Sequence, residues 1–285
     1  MPLRFTKMHG LGNDYVFIST FDQVVPDPPA LARAVSDRHR GIGSDGLILV
    51  APPALADADV RMIMYNVDGS RGQMCGNGLR CVAKLAYERG LARRNPLRVQ
   101  TDRGVLTLDL TLADERVIAI RADLGPPILD PSAIPVAWPG ERVVDVPLPP
   151  DAPGAAEGLR LTAVSLGNPH GVLFVPDVAA VPLADWGPRL ERHALFPERA
   201  NIHCAQVLAA DRVRMATWER GSGITLACGT GAAAVCVAGV LTGRCGRALT
   251  VEQPGGELGV HWDAHSGHIL LTGPATEVFT GEWPD

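Results

Sequence analysis

Two cysteines, Cys75 and Cys228, stand in the same local setting about 150 residues apart. Each opens a Cys-Gly-polar-Gly turn, CGNG and CGTG, and each turn runs into an apolar stretch of helical periodicity. A thiol just before a helix start faces the positive end of the helix dipole and unpaired backbone N–H groups, and both favour thiolate. Gly76 and Gly78, like Gly229 and Gly231, would let the backbone come close to a ligand, and the free N–H groups would hold a carboxylate. The sequence therefore predicts two acidic thiols, each beside an anion cradle. Presented from opposite sides of one carbon, they suit removal of a proton from one face and its return to the other. That chemistry is racemisation or epimerisation by two bases. A lone Cys-Gly at a helix start is more often packing than chemistry. Repetition of the whole turn, with Asn77 and Thr230 at equivalent places, reverses that reading for Cys75 and Cys228.

The other four cysteines lack such a partner. Cys81 falls about 240° round the helix from Cys75 and reads as packing. Cys204, Cys236 and Cys245 have no counterpart in the other half and are assigned to core or surface. No C-x-x-C pair occurs, so the common zinc spacing is missing and no metal is expected. Enzymes that deprotonate an amino-acid α-carbon mostly hold pyridoxal phosphate on a lysine. Only Lys7 and Lys84 are available, and neither lies in duplicated context or near a phosphate-cradling loop. A cofactor-free route is expected.

The elements that must position these residues are themselves duplicated. LGNDYVFI, CGNGLRCVAKLAYERG and LRVQTDRGVL pair in order with LGNPHGVLFV, CGTGAAAVCVAGVLTG and LTVEQPGGEL, and a Gly-Pro at Gly125 pairs with one at Gly273. Four collinear matches at a period of about 150 residues mean two duplicated domains, not a solenoid. The halves are set at 1–125 and 126–274, the last strand, 275–285, returning to the first half. The seam falls in the proline-rich run from Leu124 to Gly154. Short β-branched or alternating runs such as YVFI, GLILV and VRMIMYN predict strands. Helices are predicted over 79–89 and 232–241, with Gly90 and Gly243 as C-terminal caps. The fold class is α/β (α+β): two pseudo-symmetric domains, each a mixed or antiparallel sheet curled round a central helix.

Composition agrees with a globular protein. The 285 residues are 46% hydrophobic and 20% charged, with net charge −5, which points to neither nucleic acid nor an anionic membrane surface. MPLRFTKMHGLGNDY has no secretory pattern and no apolar run is long enough to span a bilayer. A cytoplasmic protein is expected, its cysteines held as thiols.

HGLGNDYVFI, YNVDGSRGQMCGNGLRC, VSLGNPH, WERGSGITLACGTG and the trailing TGPATEVFTGEW together resemble the diaminopimelate epimerase family. The resemblance implies interconversion of LL- and meso-2,6-diaminoheptanedioate without pyridoxal phosphate, in lysine and peptidoglycan precursor biosynthesis, by a homodimer with its site between two similar domains. By position it implies Cys75 and Cys228 as the proton-transferring pair, with Cys228 as thiolate base and Cys75 as thiol donor for the LL substrate. His170 and Glu219 would tune the thiols. Asn13, Asn66, Asn168, Asn201, Glu219 and Arg220 would bind substrate, and Gly76–Asn77 and Gly229–Thr230 would hold the reacting carboxylate on their N–H groups. Arg220 suits a distal carboxylate because its fork binds bidentately. By residue type alone, Asn13 and Asn168 could equally be turn residues with positive φ, and His9 is read as structural.

The chain departs from the family pattern twice. Gly46 stands where some members have glutamine, and Ile224 where many have an acid before the second cysteine. Two alternatives stay open at this point. One is a proline racemase or hydroxyproline 2-epimerase type of enzyme, which would need no distal-carboxylate group. The other is a non-enzymatic redox sensor whose two thiols form a reversible disulfide.

Overall fold

A computed structural model describes residues 2–72 and 75–284; Gln73 and Met74, which precede the first cysteine in its motif, lie outside the described residues. The chain divides into two compact units, 1–123 with 272–285, and 124–271.

Both units use the same succession of pairings. In the first, Leu3–Gly10 pairs antiparallel with Asn13–Ser19, which pairs in parallel with Gly46–Ala51. Gly46–Ala51 pairs antiparallel with Val60–Asn66, which takes Leu97–Thr101 in parallel; Gly104–Ala113 and Arg116–Asp123 follow antiparallel. Parallel neighbours need a crossover, and two helices supply it: α1 (Pro28–Ser36) and α2 (Gly76–Glu88). Thr276–Trp283 returns to pair antiparallel with Leu3–Gly10.

In the second unit Arg160–Ser165, Pro169–Phe174, Asn201–Ala209, Arg212–Glu219, Ala248–Gln253 and Gly256–Trp262 repeat the order antiparallel, parallel, antiparallel, parallel, antiparallel. Helices α3 (Leu183–Glu191) and α4 (Gly229–Leu241) make its crossovers. Each unit is thus a mixed sheet with few helices, as the duplicated blocks predict.

The second helix of each unit is the central one. Helix α2 packs against six strands of its unit and α4 against five. Every residue of α4 from Gly231 to Gly239 is buried, as AAAVCVAG, apolar on all sides, requires. The helices begin three residues earlier than their periodicity predicts. Cys75 and Cys228 are themselves the N-caps, so each first turn is the glycine-containing turn. Gly90 and Gly243 take φ +72° and +68° as the C-terminal caps.

The proline-rich run has no long element, yet it packs. Ile134, Val136, Val143, Leu148 and Ala152 are buried with Leu161, Phe196 and Ile202 in the core of the second unit. Both lysines are held in ion pairs, Lys7 with Asp14 and Lys84 with Glu88. Among the described residues, no helix is long and apolar enough to cross a membrane.

Candidate active site

In the first unit the chemistry gathers at the start of α2. Cys75 sits in extended backbone, and its Sγ accepts from the Gly78 N–H at 3.5 Å and donates to Asn13 Oδ1 at 3.2 Å. Asn77 Nδ2 donates to the same oxygen at 3.3 Å. Asn13 Nδ2 in turn donates to Asp45 Oδ2 at 2.7 Å, which fixes the direction the Asn13 amide faces. The Tyr15 hydroxyl lies close enough to the Cys75 sulfur to favour its thiolate. Behind this group lies Arg80, 1% exposed, which donates to Asn77 Oδ1 at 2.7 Å, Pro274 O at 3.1 Å and Gly76 O at 3.4 Å. The guanidinium therefore orients Asn77 without any carboxylate partner among the described residues. Asn66 ends its strand and donates instead to Ser70 Oγ at 2.9 Å, outside the hydrogen-bonded Cys75 group.

In the second unit one network joins most of the residues implied by the resemblance. Glu219 accepts from Thr225 Oγ1 at 2.6 Å and lies near enough to Cys228 for each to shift the other's pKa. Thr230 Oγ1 is 3.7 Å from Cys228 Sγ and 3.5 Å from Asn168 Nδ2. Asn168 Oδ1 lies 2.9 Å from His170 Nε2. Asn201 donates to Pro169 O and accepts from the Arg220 backbone N–H at 2.9 Å. The Arg220 guanidinium donates to Glu198 O and makes no ion pair among the described residues, leaving its charge available to an anion. Gln253, which the sequence reading passed over, accepts from the Cys228 N–H at 2.7 Å.

Neither Asn13 nor Asn168 takes the positive φ of its turn. Leu11 and Gly12, at φ 56° and 83°, make the left-handed turn before Asn13, and Gly167, at φ 94°, makes the one before Asn168. The glycines free both amides to point into their networks. His9 accepts from the Gly12 N–H at 3.2 Å.

Two expectations are corrected. The first concerns thiol acidity. Burial pushes the Cys75 thiol up, against the opposing N–H groups of Gly78 and Asn77, the Tyr15 hydroxyl and Arg80. Burial pushes Cys228 up as well, and the Glu219 carboxylate beside it adds to the rise. Desolvation thus outweighs the helix end, because a few N–H groups do not replace the water a thiolate loses. Burial likewise raises Glu219 and holds His170 neutral, well below the usual histidine range.

The second correction concerns the turn glycines. A Cβ at Gly78 would lie 2.5 Å from Ile48 Cδ1, and one at Gly231 would lie 2.3 Å from His203 Cε1. These two glycines admit core side chains. Gly76 has open space around it, and a Cβ at Gly229 would come 3.0 Å from Leu271 Cδ2. Gly46 also proves obligatory: a Cβ there would meet Tyr65 O at 2.3 Å and the Tyr15 ring at 3.1 Å. The Tyr15 ring stands in the space that a side chain at 46 would need. Asp45, Arg80 and His203 were also passed over. An arginine and a histidine on otherwise buried faces were the available signals.

The family model described as diaminopimelate epimerase matches residues 5–129 and 162–278. A protein of that name from Desulfovibrio desulfuricans is 48% identical over 287 residues, 99% of each chain. One from Acetivibrio thermocellus is 46% identical over 280 residues, 98% of each chain. Among solved structures, a phenazine biosynthesis protein of the PhzF family from Bacillus anthracis gives a TM-score of 0.73 at 16% identity, covering 100% of both chains. At that identity the likeness speaks to the fold alone.

Proposed function

The chain belongs to the diaminopimelate epimerase family, and on that premise we propose that it interconverts LL- and meso-2,6-diaminoheptanedioate, with Cys75 and Cys228 as the two acid–base groups. The observation that carries this reading is that both cysteines are N-caps of the central helices in two units of identical topology. The proline racemase alternative gives way to the named relatives, and to an Arg220 guanidinium that donates to Glu198 O, has no carboxylate partner among the described residues and suits a second carboxylate.

For the LL substrate, Cys228 thiolate takes the α-proton and the Cys75 thiol delivers its own proton to the opposite face. The S–H bond lost at Cys75 balances the one gained at Cys228, and the roles exchange in reverse. Between the two transfers the electron pair of the broken C–H bond resides on the α-carbon and its carboxylate. First-turn N–H groups at Gly76–Asn77 and Gly229–Thr230 hold that carboxylate where negative charge grows. Asn13, Asn66, Asn168 and Asn201 bind the substrate's polar groups, and Glu219 and Arg220 complete the set.

Raised thiols fit this scheme. A thiol with a high pKa in water-poor surroundings gives a strong base once ionised, matched to a weakly acidic C–H. The negative charge of Glu219 raises the Cys228 thiol and so keeps its proton on sulfur in the resting state. Neither lysine is free for a Schiff base. Homodimer formation and a cytoplasmic setting are part of the same proposal.

Incubation of LL-diaminopimelate with the protein in deuterated water tests it. One solvent deuterium should enter the α-carbon per conversion, and Cys75→Ala and Cys228→Ala should each abolish interconversion while keeping the parent's circular dichroism. A folded parent that incorporates no deuterium, as a pure thiol sensor would behave, overturns the proposal.

A further inference from the structure

We propose that His203 is a positioning residue which, braced by Thr217, sets the direction of a hydrogen-bond chain running through His170, Asn168 and Thr230 to the sulfur of Cys228. It rests on Cys228 being a proton-transferring thiol. His203 lies on the strand Asn201–Ala209, fully buried, with Nε2 2.9 Å from His170 Nδ1 and Nδ1 3.0 Å from Thr217 Oγ1.

The direction follows from donor and acceptor identities. Asn168 Oδ1 only accepts, so His170 Nε2 carries a hydrogen. His170 is buried and neutral, so its Nδ1 carries none and must accept. Asn201 supports this independently. Its oxygen is taken by the Arg220 N–H, so its NH₂ group is what faces His170 Nδ1 at 3.4 Å. His203 Nε2 therefore donates to His170, and neutral His203 accepts at Nδ1 from the Thr217 hydroxyl. At the other end, Asn168 Nδ2 points at Thr230 Oγ1. With that oxygen accepting, the Thr230 hydrogen is free to turn to Cys228 Sγ. Five groups in series all donate toward the sulfur. The chain offers Cys228 a hydroxyl donor, the partner that a thiolate needs and that the Glu219 carboxylate cannot provide. The missing side chain at Gly231 admits the His203 ring to the first turn of α4, tying the chain's interior end to the catalytic turn.

Nitrogen-15 spectra of the full-length protein labelled at histidine, combined with turnover, test the chain. In the parent, His170 and His203 should both show the neutral Nε2–H tautomer at pH 7. In His203→Leu, His170 should lose its single-tautomer signature and kcat should fall about fivefold, the worth of one hydrogen bond between neutral groups. His203→Gln, whose NH₂ can donate to His170 and whose oxygen can accept from Thr217, should keep the tautomer and most of the rate. Thr217→Val should loosen the tautomer in the same direction and remains informative if His203→Leu does not fold. An Nδ1–H tautomer at His170 in the parent, or an unchanged tautomer and kcat in both Thr217→Val and His203→Leu, would overturn the inference. The spectra report on the chain whether or not diaminopimelate is the substrate, so failure of the function reading is separable.

Discussion

Gly231→Ala sets two energies of opposite sign against each other. At an ordinary helix position alanine is better than glycine by about 1 kcal/mol, and Gly231 lies in the first turn of α4 without positive φ. The added methyl would, however, stand 2.3 Å from His203 Cε1 and 2.8 and 2.9 Å from its two ring nitrogens. The ring cannot swing aside, because hydrogen bonds to His170 and Thr217 hold it at both nitrogens. Overpacking a core costs about 1–3 kcal/mol, and a contact this short with a fixed ring belongs at the upper end. The net expectation is a loss of about 2 kcal/mol after the helix-propensity gain. Urea unfolding at pH 7 measures it, with the midpoint falling and the slope unchanged. The double variant with His203→Ala supplies the control. With the ring gone, the same methyl should stabilise rather than destabilise, so the two changes couple strongly. Gly76→Ala, where nothing lies within 4 Å of the new methyl, should be neutral or slightly stabilising. A Gly231→Ala protein as stable as its parent, or a penalty that persists without the imidazole, would refute the steric reasoning.

The remaining predictions concern charge. Burial raises the Glu219 carboxyl in the folded protein, so its contribution to stability is fully present below the unfolded carboxylate pKa and is lost as pH rises through the raised value. Glu219→Gln removes that dependence: relative to the parent it should be more stable at pH 8 than at pH 4, and equal differences at the two ends would contradict the assignment. Alkylation by iodoacetamide, followed by peptide mapping, should accelerate with pH because both thiols are raised, and should reach Cys75 before Cys228. Cys75 keeps some exposure, whereas Cys228 is buried against a carboxylate. Faster modification of Cys228 at neutral pH would overturn that ordering.

The duplicated blocks, the paired cysteine turns and the caps at Gly90 and Gly243 were legible in the sequence because each is a local pattern. Repetition carries information that no single motif holds, and a helix start or a left-handed glycine is decided within a few residues. Residue type also excluded a lysine-bound cofactor, since two lysines leave little choice. What the sequence could not show is whatever depends on who stands beside whom across the fold. The thiols are not acidic, because desolvation is a property of the surroundings and not of the turn that carries the sulfur. Gly78 and Gly231 serve Ile48 and His203, partners distant in sequence, and Tyr15 needs Gly46 bare. Asp45 fixes the Asn13 amide, and Thr217 braces His203, through contacts between strands. Such neighbours are set by sheet register, which an isolated sequence does not print. Local conformation was written in the chain; direction, dielectric and partner came only with tertiary packing.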